Sequence, residues 1–186
     1  MMEQDNIFVS SNMTLWLTGR PCSGKTTISK RLREEMNRRG IQAVNLDGDA
    51  VRGRLNADLG FSQKDREENL RRVAHVAQLF NENDIFVIAT FVSPTNDLRG
   101  KVRDIIENFR MCYVCCSLDE CERRDVKGMY KKARTGEIKE FTGVSAPFEE
   151  PANPEIVVNS EMYSLEDCVQ QVLRELNLKN RHGQFV

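Results

Sequence analysis

The residues with the clearest chemical potential run from Gly19 to Thr27, as Gly19-Arg20-Pro21-Cys22-Ser23-Gly24-Lys25-Thr26-Thr27. Glycines five positions apart, followed at once by a lysine and a hydroxyl residue, give the spacing of a loop that wraps a phosphate chain. Glycine at 19 and at 24 lets successive backbone N–H groups turn inward, where a Cβ would obstruct them. Lys25 supplies charge for the β- and γ-phosphates, and the Thr26 hydroxyl is a hard oxygen donor suited to Mg²⁺. A following helix would add the positive end of its dipole. ATP with Mg²⁺ is the expected co-substrate.

Two other stretches could complete a site. Asp47-Gly48-Asp49 offers two carboxylates at the end of a short apolar run, and Arg52, Arg54 and Arg66 follow. Farther on, Arg123, Arg124, Lys127, Lys131, Lys132 and Arg134 crowd a segment with glycines at 128 and 136. A charge run alone is usually a solvated helix face. Beside a nucleotide, the same segment can serve as a mobile lid, about residues 123–143, that carries cations to a developing transition state. His75 lies off its helix's apolar stripe and reads as an exposed or hydrogen-bonded structural residue. Cys112-x-x-Cys115 lacks a second pair or a nearby histidine, so buried thiols are expected rather than a metal site.

These groups need elements to hold them. Residues 13–18 read as a buried strand entering the loop, and Ile28, Leu32 and Met36 recur at helical spacing beyond it. Residues 43–46 form a second strand ending at the acidic turn. Leu55, Leu59 and Phe61 are the apolar anchors of the polar stretch that follows, before a long helix starting near Lys64. In that helix Leu70, Val73, Ala74, Ala77 and Phe80 make a core stripe. The run 85–91 is the most hydrophobic in the chain, as expected of a central parallel strand. Residues 99–109 return as a helix, 111–116 as a strand, 138–154 as loop and 156–159 as a fifth strand. A final helix opens at Ser164, with Leu165, Val169, Val172, Leu173 and Leu176 on its buried face. Strands alternating with helices predict an α/β, three-layer fold: a five-stranded parallel sheet with helices on both faces and a mobile lid. Ligands then bind beyond the carboxyl ends of the strands.

A length of 186 residues suits one domain, 1–186, with flexible ends at 1–12 and 180–186. A formal charge of −1 gives no global attraction to nucleic acid or to an anionic membrane. The apolar run Ile7-Phe8-Val9 is too short for a signal peptide or a membrane span, and the cysteine distribution suits a reducing compartment, so the cytoplasm is expected.

Several blocks together resemble the adenylylsulfate kinases, a family of P-loop kinases. They are Asp47-Gly48-Asp49 with Val51-Arg52, Asn56, 58–62, Asp65-Arg66 and Glu68-Asn69; then Phe91-Val92-Ser93-Pro94; then 125–134, 136–139 and Phe141-Thr142-Gly143. The resemblance spans residues 13–176. It implies transfer of the ATP γ-phosphoryl group to the 3′-hydroxyl of adenosine 5′-phosphosulfate (APS), giving PAPS and ADP. It assigns Asp49 to the attacking hydroxyl, with a share in organising Mg²⁺, and Lys127 to the lid cation. Arg52 and Arg66 would hold the acceptor's anionic groups, Phe61 and Phe141 its adenine, and Asn69 and the Val92 backbone its polar edges. Family descriptions also give Ser93 a phosphoenzyme role. No residue of its block is an evident base for that hydroxyl, so a structural or positioning Ser93 is preferred. Departures from the family's usual residues fall at 20–22, Ala50, 53–54, 95–96 and Glu140, where asparagine or glycine is frequent.

The expected partners are ATP and APS, with a homodimer and a functional link to an ATP sulfurylase left open. Two alternatives stand beside this reading. One is a related kinase acting on another hydroxyl, such as a nucleoside or sugar. The other is a nucleotide-binding regulatory protein without turnover, which would have no need of a positioned acid and a lid cation.

Overall fold

Along residues 14–18, Leu15 and Leu17 point to one side and Trp16 to the other, and all three are fully buried. A strand with that pattern must be covered on both faces. The computed structural model describes residues 12–176 and the backbone of 7–8 and 179–180. In chain order the elements are β1 (Ile7–Phe8), β2 (Thr14–Thr18), α1 (Lys25–Arg38), β3 (Ala43–Asp47), α2 (Gly48–Arg52), α3 (Gln63–Asn81), β4 (Phe86–Thr90), α4 (Asn96–Ile105), β5 (Phe109–Cys115), α5 (Leu118–Arg124), α6 (Met129–Arg134), β6 (Ile156–Asn159), α7 (Leu165–Glu175) and β7 (Lys179–Asn180).

Five strands form one parallel sheet in the order β3-β4-β2-β5-β6. On one face Leu15, Leu17 and Ile88 meet Ile28 and Leu32 of α1 and Val169 and Val172 of α7. On the other, Trp16, Val87 and Ala89 meet Val73 and Ala77 of α3 and Val102 of α4. The three-layer α/β architecture expected from the alternation of elements is the one observed. A separate antiparallel pair joins β1 to β7. The remainder of the expected flexible ends, His182 included, lies outside the described residues.

Several local expectations are corrected. The run 85–91 supplies β4, an interior strand between β3 and β2, while the centre belongs to β2. The acidic turn is the start of a helix, because Asp47 caps α2 by accepting a hydrogen bond from the Asp49 N–H. Leu55 and Phe61 are exposed, and the buried anchors there are Val51 and Asn56. Asn56 is held by its amide donating to the side chain of Asn69. Helix α4 starts at Asn96, capped by Thr95, and ends before Phe109, which opens β5. Leu165 is exposed at the first turn of α7, and Cys168 takes its place in the core. His75 is exposed, as expected.

Candidate active site

Beyond the carboxyl ends of β2, β3 and β4 lies a cavity of about 990 Å³. The phosphate-type loop enters it from the end of β2. At Gly19 a Cβ would stand 2.6 Å from the Val114 carbonyl oxygen, so glycine is required by close approach. Gly24, at φ +93°, opens α1 without a side-chain cap, which leaves the first N–H groups of the helix for an anion. Pro21, Cys22, Gly24, Lys25, Thr26 and Thr27 line the cavity. Gly19, Arg20 and Ser23 are not among its lining residues. Ser23 is fully buried, and its carbonyl accepts a 2.7 Å hydrogen bond from Ser160 after β6. Arg20 turns away from the cavity, with its guanidinium 4.9 Å from the Phe148 ring centroid and donating to the Cys116 carbonyl at 3.3 Å. The Arg20 side chain thus braces the loop from behind, which leaves its backbone as the part facing a phosphate site.

Lys25 is folded back on its own loop, donating to the carbonyls of Gly19 at 2.9 Å and Arg20 at 2.7 Å. Burial lowers its ammonium from the ordinary lysine value to about 8.

The two carboxylates of the 47–49 segment have different surroundings. Asp47 accepts from Thr26 Oγ1 at 2.9 Å and from Thr90 Oγ1 at 3.0 Å through one oxygen, and from the Asp49 N–H at 3.0 Å through the other. Burial alone would raise its carboxyl, but the hydrogen bonds outweigh it and hold the group below the ordinary aspartate value. Asp49 is exposed and pairs instead with Lys127 across the cavity. The hydrogen bond to Asp49, and after it the Asp49 charge, raises the Lys127 ammonium above the usual value. Residue type marked both carboxylates, while the family resemblance gave a role to Asp49 alone; the place of Asp47 at the last residue of β3 is what sets it beside Thr26.

On the far side of Asp49, Arg52, Phe61, Arg66, Asn69, Val92 and Ser93 line the cavity. Arg52 stacks on the Phe61 ring at 4.4 Å and donates to the Gly60 carbonyl at 2.7 Å. Arg66 reaches across to residues 140–142, donating to the Glu140 carbonyl at 2.6 Å and to Thr142 Oγ1 at 3.3 Å. Leu70, expected as core alone, is both buried and part of this lining. The Val92 carbonyl is occupied by the Thr18 hydroxyl at 2.7 Å. Ser93 is buried at φ +43°, and its hydroxyl accepts from Trp16 Nε1 at 2.9 Å.

Of the six cations between Arg123 and Arg134, only Arg124 and Lys127 line the cavity. Lys131, Lys132 and Arg134 are exposed, and Arg134 pairs with Glu122. Tyr130 anchors the segment: it is buried, donates to the Pro21 carbonyl at 3.0 Å and meets Phe141 edge-on at 4.9 Å. Arg124 donates to the Ser160 carbonyl at 2.7 Å, and Tyr163 and Leu165 continue that wall. Arg124 belongs to the basic run singled out in the sequence, whereas Ser160 and Tyr163 were given no role there. The signal for Ser160 and Tyr163 was their place just beyond β6, where ligand contacts collect. Among the described residues no three His, Cys, Asp or Glu side chains are grouped to hold a metal ion, and no helix is long and apolar enough to cross a membrane.

Comparison with known proteins bears on the whole arrangement. A family model described as adenylylsulphate kinase matches residues 11–159. A probable adenylyl-sulfate kinase of Bacillus subtilis (strain 168) is 47% identical over 167 residues, 89% of this chain and 85% of that protein. An adenylyl-sulfate kinase of Clostridium kluyveri is 45% identical over 177 residues, 95% of this chain and 89% of its own. The solved structure of the Mycobacterium tuberculosis APS kinase CysC in complex with AMPPNP and APS superposes with a TM-score of 0.86 at 39% identity, covering 88% of this chain and 96% of that one.

Proposed function

The chain belongs to the adenylylsulphate kinase family, and from that premise we propose how its residues share the work. The protein is an adenylyl-sulfate kinase: it transfers the γ-phosphoryl group of ATP to the 3′-hydroxyl of APS, giving PAPS and ADP, in sulfate activation. The observation that carries this reading is the convergence, in one cavity, of the phosphate-type loop, the Asp49–Lys127 pair and the two arginines beside Phe61.

ATP enters with its phosphates on the N–H groups of the loop and of the first turn of α1, where Lys25 exchanges the Gly19 and Arg20 carbonyls for phosphate oxygens. Its base and ribose lie toward Arg124, Ser160 and Tyr163. The hard oxygens of Thr26 and Asp47 fit Mg²⁺, since Asp47 is kept ionised and is already joined to Thr26. When bound, Mg²⁺ neutralises charge on the β- and γ-phosphates. That division leaves Asp49 for the acceptor: it orients the 3′-hydroxyl and accepts its proton as the new O–P bond forms and the bond to ADP breaks. Lys127, released from Asp49, follows the transferring phosphoryl group. APS occupies the other half, its adenine between Phe61 and Phe141, its phosphosulfate near Arg52 and Arg66, and the Asn69 amide donating to it. Ser93 positions the 92–94 segment through Trp16; a hydroxyl engaged and buried in that way does not suit a nucleophile. The whole chain, 1–186, is read as one kinase domain acting in the cytoplasm, with 123–143 as a lid that opens for exchange. A homodimer and cooperation with an ATP sulfurylase are compatible with this reading.

The test is ADP release from Mg-ATP with APS, set against sugar and nucleoside acceptors. APS-dependent ADP is expected. Turnover with a sugar and none with APS would overturn the assignment in favour of a kinase for another hydroxyl.

A further inference from the structure

Glu140 sits at the rim of the acceptor half of the cavity in a conformation that its residue type does not favour. Its φ is +55°, in the left-handed region that glycine and asparagine tolerate and that places the Cβ of glutamate against its own backbone. The conformation is fixed from both sides. Arg66 holds the Glu140 carbonyl at 2.6 Å. The next residue, Phe141, donates its N–H to Ser145 Oγ at 2.9 Å, and its carbonyl accepts from the N–H groups of Ser145 and Ala146, both at 3.0 Å. The side chain is exposed, contributes to the cavity lining, and forms no ion pair among the described residues. Its carboxylate nevertheless acts on Arg66: burial lowers the guanidinium below its ordinary value, and the Glu140 charge opposes that shift. An anion thus competes for a cation of the acceptor half.

We propose that Glu140 weakens binding of the anionic acceptor, by its charge beside Arg66 and by the strain it places on the segment carrying Phe141. The inference rests on the APS reading above and adds to it a residue whose replacement improves the enzyme. Neither Asp49, Lys127 nor the phosphate-type loop touches Glu140, so the nucleotide half and the chemical step should be indifferent to it.

Two variants separate the two causes. Glu140→Gln removes the charge and keeps the strain, whereas Glu140→Asn removes the charge and relieves part of the strain, without the added chain entropy of glycine. Steady-state kinetics on the full chain should give an APS KM lowered about threefold in Glu140→Gln, the size expected of an exposed charge. The gain should shrink in high salt, and the ATP KM should stay within experimental error. Glu140→Asn should add a rise in Tm of about 2–4 °C over Glu140→Gln. An unchanged or raised APS KM in Glu140→Gln would overturn the charge argument, and equal Tm values would overturn the strain argument. If the unsubstituted chain releases no APS-dependent ADP, the functional reading itself falls and takes this inference with it. A changed KM in a chain that does turn over APS bears on Glu140 alone.

Discussion

Asp47 and Asp49 stand two residues apart and are set up for different work. Asp47 is ionised and bonded to Thr26 and Thr90, on the nucleotide side, while Asp49 is exposed and faces Lys127. Asp49→Asn should therefore lower kcat by about 10²–10⁴ and leave the affinity for an ATP analogue nearly unchanged, whereas Asp47→Asn should weaken that affinity when Mg²⁺ is present. Calorimetric titration beside steady-state kinetics checks both; equal losses of turnover and nucleotide affinity in Asp49→Asn would mean that it serves the nucleotide. Lys25 gives a pH signature. Its free-state ammonium titrates at about 8, below the ordinary lysine value, because of burial, and bound phosphates must raise that value. Below pH 8 the group is already protonated, so binding takes up no proton through it. Above pH 8 binding must take one up, and affinity falls as pH rises. Titrations in buffers of different ionisation enthalpy should show proton uptake on binding an ATP analogue at pH 8.5. Release at that pH would contradict the assignment.

At the scale of elements, the basic segment 123–143 and the phosphate-type loop are joined through Tyr130, whose hydroxyl reaches the Pro21 carbonyl and whose ring meets Phe141. Tyr130→Phe removes the hydrogen bond alone and should cost about 0.5–1.5 kcal/mol, whereas Tyr130→Ala also empties a buried site and should cost about 3–5 kcal/mol. Denaturant melts of the two variants check the ratio. If 123–143 closes over bound substrates, amide exchange in that segment should slow when ATP analogue and APS are both present, with the β2 and β4 amides unaffected. The elements themselves were largely legible. Ile28, Leu32 and Met36 announce α1, and Ser164 announces α7, because helical spacing and caps are local chemistry. The exposure of Leu55 and Leu165 was not legible, since it depends on what neighbours arrive from elsewhere in the chain. Nor was the positive φ of Glu140, whose carbonyl is held by Arg66 from 74 residues away and whose neighbour Phe141 is held by Ser145 and Ala146.

For the molecule as a whole, the alternation of strands and helices was enough to expect the parallel sheet, and with it the edge where ligands bind. The strand order was not written in any one segment: it emerges from pairing between β2, β4 and β5, which are distant in the chain. The same holds for the contacts that bring both halves of the cavity together. Trp16 reaches Ser93, Arg20 reaches Phe148, and Lys127 reaches Asp49 only once the sheet has formed. The loop from Gly19 to Thr26 identified the donor, and the acceptor had to be read from residues spread between Asp49 and Phe141. The most direct test of the account therefore follows the acceptor atom. The chain should be incubated with Mg-ATP and either APS or its 3′-deoxy analogue, with phosphorylated products located by ³¹P NMR. A 3′-phosphate on APS and no phosphorylated product from the 3′-deoxy compound are expected. A phosphate elsewhere on APS, or equal phosphorylation of the deoxy compound, would contradict the account.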